Sequence, residues 1–297
     1  MPLRGAVYVN GTITPAHQAV IPVYDHGFLY GEGIYETLRT YNRVPFLFDR
    51  HTVRLRASAE RLDLQVPFDD STLAARVDET LAAAGELREA YIRILVTRGV
   101  GELTYDLGAT PAPSLVIIVK ALEEVPERVE HEGITLSLVP ILRNHPESVN
   151  PIIKSNNLLN NAMAMQQANR QGAEEALMCN YRGELSECSQ SNFFLVRGGR
   201  VLTPPSAAGL LEGITRGFLF DLARGAGIDA REEVLRPEDL DTADEAFITG
   251  TTRELSPVVR IDNRVIASGK PGPITLDLLR RYRKYAWETT RSPVSSA

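Results

Sequence analysis

Short β-prone runs closed by tight-turn residues recur along this chain, and that recurrence limits the fold more than any other feature. Residues 6–14 are two short β runs around Asn10-Gly11, a dipeptide suited to a two-residue hairpin turn. Two more hairpins are expected, one over 176–186 turning at Asn180 to Gly183, one over 193–202 turning at Gly198-Gly199. β-Branched runs predict strands at 91–97, 114–119, 134–141, 245–249 and 258–266. Helices are expected over 48–63, after an N-cap at Ser71, through Leu158, Ala162, Met165 and Ala168, from Gly213, and near 275–288. Strands outnumber helices and follow one another as hairpins, so the fold class is α+β, not a doubly wound sheet.

At 297 residues there is room for two domains. The charged, proline-containing segment 123–131 has no clear period and reads as a linker. It leaves a smaller N-terminal domain at 1–122 and a larger C-terminal one at 132–297. The net charge of −6 is spread among interspersed acidic and basic residues, which offers no basic stripe for nucleic acid. No apolar run approaches the roughly 20 residues that would span a bilayer. The N-terminus has no signal-peptide core, and Cys179 and Cys188 offer neither a disulfide framework nor a zinc quartet. A reduced, cytoplasmic protein is the expectation. No metal is expected, because none of the five histidines lies at short ligand spacing from another. Gly31-Glu-Gly33 lacks the third glycine of a dinucleotide loop.

Lysine usage is the first chemical signal. Of 32 basic residues only four are lysines, at 120, 154, 270 and 284. Lys154 follows Pro-Ile-Ile and precedes an asparagine-rich stretch, as a lysine at a strand end facing a cavity would. A desolvated lysine can form a Schiff base with a carbonyl, and a strand-end lysine can equally reach out to water. Gly213-Ile214-Thr215 opens an amphipathic helix, whose free N–H groups suit a phosphate or simply take an ordinary cap. Gly250-Thr251-Thr252 is a hydroxyl-rich turn that could add phosphate donors or be only a turn. Glu187, in the second arm of a hairpin, could pair with a protonated ring nitrogen or be solvated on a strand.

These stretches occur in an order that resembles the class IV aminotransferases, fold type IV of the pyridoxal-phosphate enzymes. Tyr30-Gly-Glu-Gly-Ile-Tyr-Glu-Thr-Leu-Arg39, His51-Thr-Val-Arg-Leu55, the Lys154 segment and Leu185-Ser-Glu-Cys-Ser-Gln-Ser-Asn192 carry the resemblance. Leu211-Glu-Gly-Ile-Thr-Arg216, Thr249-Gly-Thr-Thr-Arg-Glu254 and Ser268-Gly-Lys-Pro-Gly-Pro-Ile-Thr275 complete it. The resemblance implies pyridoxal 5'-phosphate carried on Lys154, which as a free amine shuttles a proton at the substrate Cα. It implies that Glu187 pairs with the pyridinium nitrogen and Leu211 packs against the ring. Arg54, Ile214, Thr215, Thr251 and Thr252 would hold the phosphate. Amino acids and 2-oxo acids are the implied substrates, in a ping-pong cycle run by a homodimer or larger homo-oligomer.

Within the family, Tyr91-Ile-Arg93 resembles the Tyr-x-Arg strand of branched-chain aminotransferases, and Tyr30 and Tyr35 match aromatic pocket positions. Without the resemblance these tyrosines could as well be core. Two positions depart from that pattern. Leu159 stands where branched-chain enzymes often carry a tyrosine, and Arg253 stands where they carry alanine. Arg253 could bind a substrate carboxylate or point to solvent. The run after Lys154 looks like the D-amino-acid enzymes, but the Arg-x-His carboxylate trap that those enzymes carry after Thr97-Arg98-Gly99 is missing. Branched-chain L-amino acids are therefore the expected donors and 2-oxoglutarate an expected acceptor. D-amino acids are the alternative, with aminodeoxychorismate lyase and (R)-amine transaminase behind.

Overall fold

Asn10 and Gly11 both adopt positive φ, 45° and 99°, which turns β1 (Ala6–Val9) back onto β2 (Thr12–Pro15) with Val9 opposite Thr12. A turn of this hand matches the twist of the strands it joins, so the dipeptide sets the register. The structure, a computed structural model, describes residues 4–291. The chain packs as two units. Of the described residues, one contains 4–123, Ile153–Asn157 and 287–291; the other contains Glu124–Ile152 and Leu158–Ala286.

The first unit continues with a short helix α1 (His26–Leu29), then β3 (Gly33–Tyr41), β4 (Val44–Pro45), α2 (Phe48–Glu60), α3 (Asp70–Ala83), β5 (Ala90–Thr97) and β6 (Ser114–Ala121). Its six strands form one antiparallel sheet in the order β2-β1-β6-β5-β3-β4. Alternation puts Ile34, Leu38, Ile92, Ile94, Val96, Ile117 and Val119 on one face, where they bury against Leu55 and Ala59 of α2 and Leu73 and Val77 of α3. Each such side chain contributes about 1.5–3 kcal/mol of burial, which fixes both helices on this face. The cap of α3 corrects the sequence reading. Asp69 accepts from the Thr72 N–H, and Ser71 lies inside the helix and donates its hydroxyl to Asp69. A carboxylate two residues earlier outcompetes the serine for the same donors.

The second unit holds α4 (Arg128–Glu132), β7 (Ile134–Val139), α5 (Leu159–Arg170), β8 (Glu175–Cys179), β9 (Leu185–Cys188), β10 (Asn192–Arg197), β11 (Arg200–Thr203), α6 (Ile214–Gly225), β12 (Ala230–Glu232), β13 (Glu245–Gly250), β14 (Glu254–Ile261), β15 (Arg264–Val265) and most of α7 (Pro273–Thr289). Its sheet runs β12-β11-β10-β13-β14-β7-β8-β9, with β15 on β14. The expected hairpins at 180–183 and 198–199 are present, but β7 lies parallel to both β8 and β14. Parallel neighbours need a crossover, and α5 makes it between β7 and β8. Small Ala164, Ala168 and Ala176 let that helix sit close to the sheet. Two expectations change here. The strand expected over 258–266 is instead the end of β14 and β15, a further hairpin turning at Asp262 (φ 51°). The segment 123–131, expected as a linker, ends in α4, whose Val129 is buried in this unit's core.

Candidate active site

Lys154 lies in the five-residue return to the first unit. The segment pairs its backbone with the start of β3: Tyr35 N donates to Lys154 O at 2.9 Å, Asn156 N donates to Gly33 O at 2.9 Å, and Ile34 bridges Ser155. The Lys154 N–H also donates to Ser58 Oγ of α2. This corrects the expected strand end: the lysine sits on a loop clamped along a neighbouring strand. Gly33 permits the approach, because a Cβ there would lie 2.5 Å from Asn156 Nδ2.

The side chains converge as the backbone does. Lys154 Nζ stands 4.4 Å from the Tyr35 ring centroid, and Arg93 Cζ stands 4.0 Å from it. Arg93 reaches the ring because Tyr35, Thr37, Tyr91 and Arg93 share the sheet face opposite the helices. The Arg93 Nε is buried without a hydrogen-bond partner. Tyr91 is half-buried with Lys120 Nζ over its ring. Tyr30 packs instead on His26 and Tyr105, so the structure groups it with the 99–110 loop.

On the core face, between Ile34 and Leu38, β3 carries Glu36. Arg54 grips it with Nε to Oε1 at 2.7 Å and Nη2 to Oε2 at 2.8 Å, and His51 Nδ1 lies 2.6 Å from Oε2. Burial pushes the Glu36 carboxyl up, but the Arg54 charge and the hydrogen bonds from Arg54 and His51 outweigh it. The group therefore titrates far below the usual carboxylate range. Burial likewise lowers His51, against the pull of Glu36 and helped by Arg54 and Lys154. Arg54 is thus a fixed cation, held by a buried carboxylate.

Glu187 anchors the second unit's cluster. Its Oε1 accepts from Arg143 Nε at 2.8 Å, and its Oε2 accepts from Leu211 N at 3.1 Å and Asn192 Nδ2 at 3.2 Å. Asn192 Nδ2 also donates to Leu211 O at 2.8 Å. Leu211 therefore belongs beside Glu187 through its backbone. Two residues on, Gly213 caps α6 with no side-chain cap, which leaves first-turn N–H groups of Ile214 and Thr215 without a side-chain acceptor. A Cβ at Gly213 would lie 2.0 Å from Asn192 Oδ1, so only glycine brings this helix so near. Opposite Asn192 across the sheet is Thr249, whose buried hydroxyl has no hydrogen-bond partner. The turn that follows places Thr251 and Thr252 half-buried, closed by Arg253 N donating to Gly250 O.

Arg253 is three-quarters buried, with Nη2 3.6 Å from Glu175 Oε2. Glu175 is fully buried and also takes hydrogen bonds from Ser189, Ser191 and Ala176 N. Leu159, by contrast, is 68% exposed.

The fit to a phosphorylated pyridine can be tested on these donor sets. A phosphate needs a fixed cation, which the first unit offers in Arg54, and free N–H or O–H donors, which the second unit offers in the α6 N-terminus and the unpartnered Thr249 hydroxyl. A protonated ring nitrogen needs a buried carboxylate, which Glu187 provides. Among the described residues no group of three His, Cys, Asp or Glu could hold a metal ion. Sequence reasoning missed Glu36, Arg143, Asn192, Thr249 and Glu175 as members of these clusters.

A family model described as amino-transferase class IV matches residues 33–261. The chain is 39% identical to the putative branched-chain-amino-acid aminotransferase of Methanocaldococcus jannaschii, over 93% of this chain and 95% of that protein. It is 37% identical to the D-alanine aminotransferase of Listeria innocua serovar 6a, over 92% and 93%. The branched-chain amino acid aminotransferase of Thermobaculum terrenum, solved in its PLP form, superposes with a TM-score of 0.85 at 26% identity, over 97% and 95%.

Proposed function

The chain belongs to the class IV aminotransferases, with their fold type IV, and from that premise we propose that it transfers the amino group of branched-chain L-amino acids to a 2-oxo acid such as 2-oxoglutarate, using pyridoxal 5'-phosphate. The observation that carries the reading is the convergence of Lys154 and Arg93 on the Tyr35 ring. It supports one place where a reactive amine, a carboxylate-binding cation and an aromatic wall meet.

The cofactor supplies an electron sink that stabilises negative charge at the substrate Cα. The chain's residues do the rest. Lys154 would hold the cofactor and, as a free amine, would take the proton from the substrate Cα. Glu187 keeps the ring nitrogen charged. Arg54, the Ile214 and Thr215 N–H groups and the hydroxyls of Thr215, Thr251 and Thr252 bind the phosphate. Tyr35 and Tyr91 line the side-chain pocket, Tyr30 adds to it from the side of the 99–110 loop, and Arg93 receives a carboxylate. Arg253 is held ready by Glu175 and adds a second carboxylate contact.

The similarity to D-alanine aminotransferases keeps a second reading open, transamination of D-amino acids. Against it, Arg98 is engaged: its Nη2 donates to Leu62 O at 2.7 Å, and its Nε lies 3.3 Å from Glu32. A donor panel of L- and D-amino acids with 2-oxoglutarate and pyruvate decides. Turnover of L-Leu, L-Ile and L-Val is the expected result; turnover of D-Ala or D-Glu alone would install the second reading.

The protein acts as a homodimer or larger assembly. Support comes from an exposed apolar surface in the first unit, formed by Val23, Tyr24, Phe28, Leu103, Tyr105 and Leu107. The two stretches are joined by the bridge from Asp25 to Val100 and by Gly101 N donating to Tyr24 O. Sedimentation as a monomer at micromolar concentration would contradict it. Free Cys179 and Cys188 suit a reducing, cytoplasmic setting, which cell fractionation tests.

A further inference from the structure

Glu187 is held from two sides by groups of different chemistry. At Oε1 sits a charge: Arg143 and Glu187 are 8% and 6% exposed, joined at 2.8 Å. At Oε2 sit neutral donors, Asn192 Nδ2 and Leu211 N. Arg143 is itself immobilised. Its Nη1 donates to Asn160 Oδ1 at 2.9 Å, Asn160 Nδ2 donates to Leu142 O at 2.8 Å, and the Arg143 N–H donates to Cys179 O at 2.9 Å.

A proton shared between a carboxylate and a heteroaromatic nitrogen rests on the stronger base of the two. A guanidinium never gives up its charge in a protein, so Arg143 makes the carboxylate the weaker base. Without that charge the balance moves toward a neutral carboxylic acid donating to an unprotonated ring. Asn192 and Leu211 N aim the carboxylate but cannot bias the proton in this way. We propose that Arg143 is a positioning residue for transamination, which orients Glu187 and keeps the ring nitrogen of the bound cofactor protonated. The proposal rests on Glu187 being the ring-nitrogen partner.

The test uses holoenzyme loaded with pyridoxal phosphate labelled with nitrogen-15 in the ring, because the chemical shift reports protonation of that nitrogen directly. Arg143→Gln removes the charge and keeps a hydrogen-bonding group; Arg143→Lys keeps the charge and loses the fork. In the Gln variant the signal should move to the unprotonated position, and transamination should fall on the order of tenfold or more. In the Lys variant the protonated signal should persist, with most of the activity restored. A Gln variant whose ring stays protonated would overturn the proposal. Should the Gln variant fail to fold, a Lys variant with an unprotonated ring would overturn it equally. Glu187→Gln separates this proposal from its premise. If that variant leaves the signal unmoved, the assignment of Glu187 falls; if it moves the signal and Arg143→Gln does not, only the role of Arg143 falls.

Discussion

Glu36 in the first unit and Glu187 in the second are both buried carboxylates on strands, and each carries an arginine. Their settings differ in what they present to a ligand. Glu36 is enclosed among Ile34, Leu38 and α2, and Arg54 and His51 use both its oxygens. Its product is an oriented cation, Arg54. Glu187 takes its arginine at Oε1 and neutral donors at Oε2, and its product is an oriented anion. The same ion pair thus has opposite polarity in the two units, one presenting a guanidinium and the other a carboxylate. Buried pairs of this kind add little net stability, but removing one partner leaves a costly unpaired charge. Their value here is a charge fixed in place before the ligand arrives.

The largest expected effect is at Lys154, in the first unit with Glu36. Lys154→Ala should abolish transamination, while changing the unfolding midpoint little, since the side chain contributes only a cation–π contact of about 0.5–1 kcal/mol. Turnover above background, measured with the wild-type donor, would show that another amine does the chemistry.

Next in size is Glu36→Gln. It removes the partner of two buried groups and should cost about 3–5 kcal/mol in denaturant unfolding. It should also change the response to acid. The folded-state value of Glu36 lies below its unfolded one, so its stabilisation is present above the ordinary carboxylate range and is lost as pH falls into and below that range. His51 is also lowered, so its contribution is present above the ordinary histidine range and fades as pH falls through it. Wild-type stability should therefore drop from neutral pH downward, and Glu36→Gln should flatten the lower part of that curve. Parallel curves for the two proteins would mean that Glu36 is not ionised in the native state.

The smallest effect sharpens the phosphate side. Thr249→Val replaces a buried hydroxyl without a partner by a methyl of the same shape, so the apoprotein should lose no stability. Cofactor affinity, read by fluorescence titration, should weaken by about 0.5–1.5 kcal/mol if that hydroxyl donates to the phosphate. Unchanged affinity would remove Thr249 from the cradle.

Much of this was legible beforehand because the signals were local. Asn10-Gly11 and Gly198-Gly199 dictate their hairpins through backbone conformation alone, and the amphipathic pattern after Gly213 marks α6. Glu36 was visible in principle: a carboxylate between Ile34 and Leu38 interrupts an apolar face and calls for a buried partner. Arg143 gave no such sign. It follows a strand end, and its partner lies 44 residues along the chain, a distance that no periodicity spans. Asn192 is found only through the space that Gly213 leaves for it. The parallel pairing of β7 with β8 and β14 was equally hidden, since hairpin signals report neighbours in sequence and crossovers do not.

The chain has only four lysines, Lys120, Lys154, Lys270 and Lys284, so the central claim has a direct test. Holoenzyme reduced with borohydride, digested and mapped by mass spectrometry should carry the phosphopyridoxyl group on the peptide containing Lys154 and on no other lysine. The group on Lys120, Lys270 or Lys284 instead, or no modified peptide from protein saturated with the cofactor, would contradict the account.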